Sequence, residues 1–240
     1  MWMVSRKQVR IGLGLLTLLA LIFGSTFIHR EPDINVLSYG VAGRVIVIDP
    51  GHGGHDPGTI GRQTKIPEKD VDLAIAKRLA KLLSQAGAMV VMTRTDDKDL
   101  SDEGFKGPLI ERKRQDLGRR VALAHRLNAD LFISVHANAD PSPRWHGAQT
   151  FYYANNKTSH DVAVAIQGEM VRILGNNNRK AKEGVFYVIE KTKMPSVTVE
   201  VGFLSNPEEE KLLSDDLHQS KVAYSIFSGI VKHYAKEEWP

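Results

Sequence analysis

Beyond residue 43 the chain alternates two apolar patterns. Residues 44–49, 88–93 and 130–136 are short runs of Val, Ile, Met, Leu and Phe with little polar alternation, the pattern of strands covered on both faces. Between the first two, residues 68–86 repeat apolar positions at helical spacing. Val71, Leu73, Ile75, Leu79, Leu82 and Leu83 form one broad stripe that stops at Gly87. Residues 110–128 repeat the pattern through Leu117, Val121, Ala124 and Leu127. Farther on, 147–153 and 196–201 predict strands, 159–174 and 219–235 predict helices, and Asn206-Pro207 suits the cap and first position of another helix. Strands alternating with helices predict an α/β class: a single domain with a twisted, largely parallel central sheet flanked by helices on both faces. Ligands of such sheets bind beyond the carboxyl ends of the strands. The polar, Gly-containing stretch 96–108 is expected to be a loop over that crevice.

A different pattern opens the chain. Residues 11–28 carry no charge over 18 positions and follow Arg6, Lys7 and Arg10. That length sits at the low end for crossing a hydrocarbon core of roughly 30 Å and exceeds the apolar region of an ordinary signal peptide. No alanine-based cleavage site follows, so 1–30 is expected to be a cytoplasmic N-terminus and uncleaved signal anchor, 31–43 a linker and 44–240 the folded domain that carries any activity. The basic residues before the span, against Arg30 after it, place the body outside the cytoplasm, at the cell membrane. Secretion after cleavage is the alternative.

Charge then loses an apparent meaning. The net charge of +4 and pI near 9.2 suggest nucleic acid, but four of the 32 basic residues lie within the first 30 positions, where no acid occurs. The remaining 210 residues balance at 28 against 28, so no nucleic-acid partner is expected. The basic run 111–114 with Arg119 and Arg120 is expected to be a solvated helix face. Cysteine is absent, which excludes disulfides, thiolate metal sites and a cysteine nucleophile. Any metal site must use His and carboxylates.

Of the nine histidines, two follow predicted strands: His52, in Asp49-Pro-Gly-His-Gly-Gly54, and His136, at the end of 130–136. Glu68 begins the first long helix, where an acidic residue also serves the helix dipole, so the residues alone leave its role open. With both imidazoles it would complete a His₂Glu set, a catalytic zinc arrangement with an open fourth position. Asp49, Asp56 and Asn138 are candidates to hold the other imidazole nitrogens. His55 shares the turn with His52. Glu200 interrupts an apolar strand, with Thr198 on its face and Val197, Val199 and Val201 on the other. A carboxylate there is expensive unless it faces the crevice, where it can take a proton from water beside a metal.

These blocks resemble a known family, the zinc-dependent N-acetylmuramoyl-L-alanine amidases of the amidase-3 type. The matching segments are 47–58, Glu68, Thr93-Arg94 with Asp97, 129–138 and 193–206, in family order. Size and anchor are most similar to the germination-specific branch of spore-forming bacteria. The resemblance implies Zn²⁺ held by His52, Glu68 and His136, Glu200 as the catalytic carboxylate, and hydrolysis of the bond between N-acetylmuramic acid and L-alanine in peptidoglycan. His125 departs from the family pattern, which usually has Asn there. The rival expectations are a zinc peptidase cutting within the stem peptide and a catalytically degenerate wall-binding regulator. No activator protein is indicated.

Overall fold

The computed structural model describes residues 38–238 apart from 155 and 177. The signal anchor expected at 11–28 and most of the linker lie outside the described residues. Among those described, no helix is long and apolar enough to cross a membrane.

Six strands form one mixed, largely parallel sheet: β1 (Val45–Pro50), β2 (Met89–Met92), β3 (Leu131–Asn138), β4 (Gln149–Tyr152), β5 (Lys182–Glu183) and β6 (Ser196–Phe203), in the order β2-β1-β3-β6-β4-β5. All neighbours are parallel except β4 and β6. The helices are α1 (Glu68–Gln85), α2 (Leu109–Arg126), α3 (Lys157–Leu174), α4 (Tyr187–Lys191), α5 (Pro207–Leu213) and α6 (Asp216–Glu238). Every element expected from periodicity beyond residue 43 is present, and no end is moved by more than three residues. Two short elements, β5 and α4, had no sequence signal.

Burial follows the strand alternation. Val47 and Phe132 pack with Val121 and Ala124 of α2 and with Val188 and Ile189 of α4 on one face. On the other, α6 packs against α1 and α3. The central strand β6 is buried along all eight residues, as its β-branched run requires. Polar side chains set several helix boundaries. Asn156 Oδ1 accepts from Ser159 N (2.9 Å) to start α3, which ends at Gly175 with φ 66°. Asn206 caps α5 ahead of Pro207.

Two expectations need correction. On α1, Leu73 and Leu82 are only half-buried, while Asp72 and Ala76 join Val71, Ile75, Leu79 and Leu83 on the covered face. On α2, Arg120 is not on a solvated face: at 1% exposure it lies in the core, ion-paired to Asp49 (2.8 Å) and Asp116 (3.0 Å). Its neighbours do face outward, Arg112 pairing with Asp99 and Arg119 with Asp102, so that α2 holds the 96–108 loop down.

Candidate metal centre and active site

At the carboxyl end of β1 the chain turns sharply through Gly51 to Gly54. A side chain at Gly51 would run into the His136 ring and the Asp72 carboxylate, so glycine permits the close approach there. His52 itself takes a left-handed backbone, φ 57°, a conformation costing a non-glycine residue on the order of 1–3 kcal/mol. Two buried guanidiniums grip this turn. Arg120 donates to Pro50 O (2.7 Å) and His52 O (2.6 Å), and Arg94 donates to Pro50 O (3.2 Å) and Gly51 O (2.6 Å).

The turn delivers His52 Nε2 to 3.0 Å from Glu68 Oε1. From β3, His136 Nδ1 reaches the same oxygen at 3.2 Å, with the two rings edge to face. Glu68 is buried at the start of α1 and is fixed by backbone donors, Ala137 N to Oε1 (3.2 Å) and Thr59 N to Oε2 (2.8 Å). Two imidazole nitrogens against one carboxylate oxygen are tolerable only with protons or a cation between them, since lone pairs facing lone pairs repel. One further carboxylate converges: ligand atoms of His52, Glu68, Asp72 and His136 all lie within 4.8 Å of one another, a group able to hold a metal ion. His52 Nδ1, the ring's other nitrogen, lies 2.9 Å from Asp56 Oδ2, at the distance but not the angle of a hydrogen bond.

Asp72 is one helical turn beyond Glu68, fully buried, with neither carboxylate oxygen hydrogen-bonded. Burial, with the charges of Glu68 and Glu200 adding, pushes its carboxyl well above the usual carboxylate range. Glu200, 8% exposed, is the Cα partner of His136 across β3 and β6. Parallel partners share a face, so both side chains point the same way. Glu200 Oε2 has no hydrogen-bond partner, and burial, reinforced by the Glu68 charge, raises the carboxyl to about 7. Burial opposes the charged form of His52, but its contacts with Asp56 and Glu68 outweigh it and raise the imidazole to about 9. Burial likewise opposes ionised Glu68, yet His136 and His52 hold it below the usual range.

Both raised values give stability the same sign. Glu200 ionises at about 7 rather than 4.5, so burying its charge costs stability increasingly as pH rises through that window. His52 contributes stability that is complete below 6.5 and is lost as pH rises through about 9. Urea midpoints of the protein in chelator, measured at about pH 5, 7 and 9, should therefore fall in that order. A midpoint that rises with pH would contradict these assignments.

The predicted set of His52, Glu68 and His136 thus converges, with Glu200 beside it. Of the proposed imidazole partners, Asp56 lies against His52, whereas Asp49 is committed to Arg120, Thr93 Oγ1 (2.6 Å) and Ser134 Oγ (2.9 Å). His55 is exposed and outside the cluster. His125 Nε2 accepts from Lys193 N (3.2 Å), tying α2 to the segment before β6. Sequence patterning misses Asp72 and the grip of Arg94 on the turn. For Asp72 the available signal is a charged residue four positions after Glu68, inside the apolar stripe. A cleft of about 280 Å³ opens over the cluster, between Lys113 and Leu117 of α2 and the 185–188 segment, with His52, His136 and Thr198 in its lining.

Comparison with known proteins places this geometry among relatives. Residues 46–232 match a family model described as N-acetylmuramoyl-L-alanine amidase. A germination-specific N-acetylmuramoyl-L-alanine amidase of Bacillus subtilis is 45% identical over 205 residues, 85% of either chain. Among solved structures, the CwlD amidase of Clostridioides difficile, in complex with the GerS lipoprotein, superposes with TM-score 0.77 at 37% identity, covering 79% of this chain and 98% of that one. The catalytic domain of CwlV, an amidase of Bacillus (Paenibacillus) polymyxa var. colistinus, gives TM-score 0.69 at 36% identity, covering 79% and 97%.

Proposed function

Because the chain belongs to the N-acetylmuramoyl-L-alanine amidases, hydrolases of bacterial peptidoglycan, we propose that it cuts the amide between N-acetylmuramic acid and L-alanine with Zn²⁺ held by His52, Glu68 and His136. The observation that carries this reading is the convergence of both imidazoles on Glu68 Oε1, next to a buried carboxylate without partners. A histidine and carboxylate set with room for a fourth ligand suits catalytic zinc. Bound there, zinc supplies Lewis acidity, polarising the scissile carbonyl and acidifying water. Asp72 converges on the same point, with burial holding its carboxyl well above the usual carboxylate range.

Glu200 is the general base. Its raised pKa places it near neutrality, where a carboxylate both accepts a proton from attacking water and gives it up again to the departing alanine nitrogen. The cleft over His52 and His136 offers room for the stem peptide beside that exchange. The likeness to the germination-specific amidase of B. subtilis supports a substrate in spore peptidoglycan. The apolar segment 11–28 supports an extracytoplasmic catalytic domain tethered to the membrane.

Mass spectrometry of muropeptides released by the full-length protein, with and without chelator, tests reaction and metal together. The expected result is intact stem peptide with a free L-alanine amine, lost with chelator and restored by zinc. Cuts inside the stem would identify a peptidase instead. Binding without products would identify a regulator, and undiminished activity after exhaustive chelation would remove the metal.

A further inference from the structure

We infer that Arg94 and Arg120 are positioning residues for the metal centre, holding the Pro50–His52 turn in the left-handed conformation that aims the His52 imidazole at Glu68. The inference rests on the metal reading above and concerns residues outside the group able to hold the metal. The left-handed φ of His52 must be stabilised by its surroundings, and its peptide oxygen is taken by Arg120 at 2.6 Å. Arg94 does something more. One of its nitrogens, Nη2, donates to Gly51 O (2.6 Å), just before His52, and to Lys69 O (2.7 Å), just after Glu68. A single planar group therefore couples the two segments that carry His52 and Glu68, although they come from a loop and a helix.

The choice of arginine follows from geometry. Lysine offers one nitrogen and could at most replace the pair made by Nη2, whereas the guanidinium fork also reaches Pro50 O from Nε and Asp96 O from Nη1. The four hydrogen bonds of Arg94 all go to carbonyl oxygens, of Pro50, Gly51, Lys69 and Asp96. A group placed only to neutralise a buried acid would be paired with one. Arg120 combines both duties, since it also holds Asp49. Crowding two buried cations is unfavourable, and burial together with the charge of Arg120 lowers the Arg94 pKa.

The test compares full-length wild type with Arg94→Lys and Arg120→Lys. The readouts are Zn²⁺ and Co²⁺ affinity by competition titration, the d–d absorption of the cobalt-loaded protein, thermal unfolding, and kcat and KM on peptidoglycan. Expected for Arg94→Lys are a cooperative unfolding transition, metal affinity weakened about 10–100-fold, the range typical of groups that orient ligands, an altered cobalt spectrum, and kcat reduced with KM little changed. Arg120→Lys should weaken affinity and alter the spectrum in the same direction. Wild-type affinity and spectrum in a folded Arg94→Lys protein overturn the inference. Loss of cooperative unfolding in that variant overturns it too, in favour of a plain core role. Wild type that binds no metal defeats the zinc reading itself, which separates that failure from this one.

Discussion

Glu200→Gln should lower kcat on peptidoglycan by roughly 10²–10⁴-fold, the range for loss of a general acid–base group, while metal content is unchanged. The substitution keeps size and burial and removes only the ability to accept a proton. Because β6 is central and wholly buried, the glutamine stays where the glutamate was. Stability supplies an internal control. The carboxyl ionises at about 7 instead of 4.5, so at pH 8 its charge destabilises the fold, and the neutral amide should leave the protein as stable as wild type or more so. A structural role predicts the reverse, lower stability with activity lost in proportion. Full activity in a metal-replete Glu200→Gln protein would exclude Glu200 as the base.

Arg120→Met should cost about 3–5 kcal/mol of stability, the range for removing one member of a buried ion pair. Asp49 would keep its hydroxyl donors Thr93 and Ser134 but lose the cation against which its charge is buried. The side chains of Arg120 and Asp49 are 1% and 2% exposed, so water cannot substitute. Urea unfolding measures the loss directly. Adding Asp49→Asn to the variant should restore part of it, because neutralising the acid removes the stranded charge while leaving the lost carbonyl contacts unrepaired. A single variant within about 1 kcal/mol of wild type would mean that the pair is stabilising nothing.

The outline of the fold was legible because its main elements are long and strongly periodic. What escaped was short: β5 has two residues and α4 five, too few for either period to register. Strand order was equally invisible, since pattern reports burial and not partners, and the antiparallel β4 leaves no mark in composition. At the site, residues placed after strands pointed toward the crevice correctly. His52 and His136 emerged from position, whereas Glu68 needed the family likeness because a helix start explains it equally well. Asp72 and Arg120 failed for one shared reason. A charge on a helix is read as facing water unless the chain supplies a partner, and their surroundings come from distant segments: Asp49 lies 71 positions before Arg120.

The parallel register of His136 with Glu200 also bears on the order in which the site comes into being. Parallel strands cannot close through a hairpin, and here β4, α3, β5 and α4 intervene between β3 and β6. Such non-local pairing must overcome the entropy of a long loop before any contact rewards it, which makes it a late event in folding. His52 and Glu68 lie close together in the chain, and Arg94 and Arg120, which grip their turn, also precede β3, so this part can assemble earlier. Glu200 cannot join them until the centre of the sheet has zipped. A cation captured there would then have no Glu200 carboxylate beside it, so under the proposed mechanism hydrolytic competence arrives only with the finished sheet.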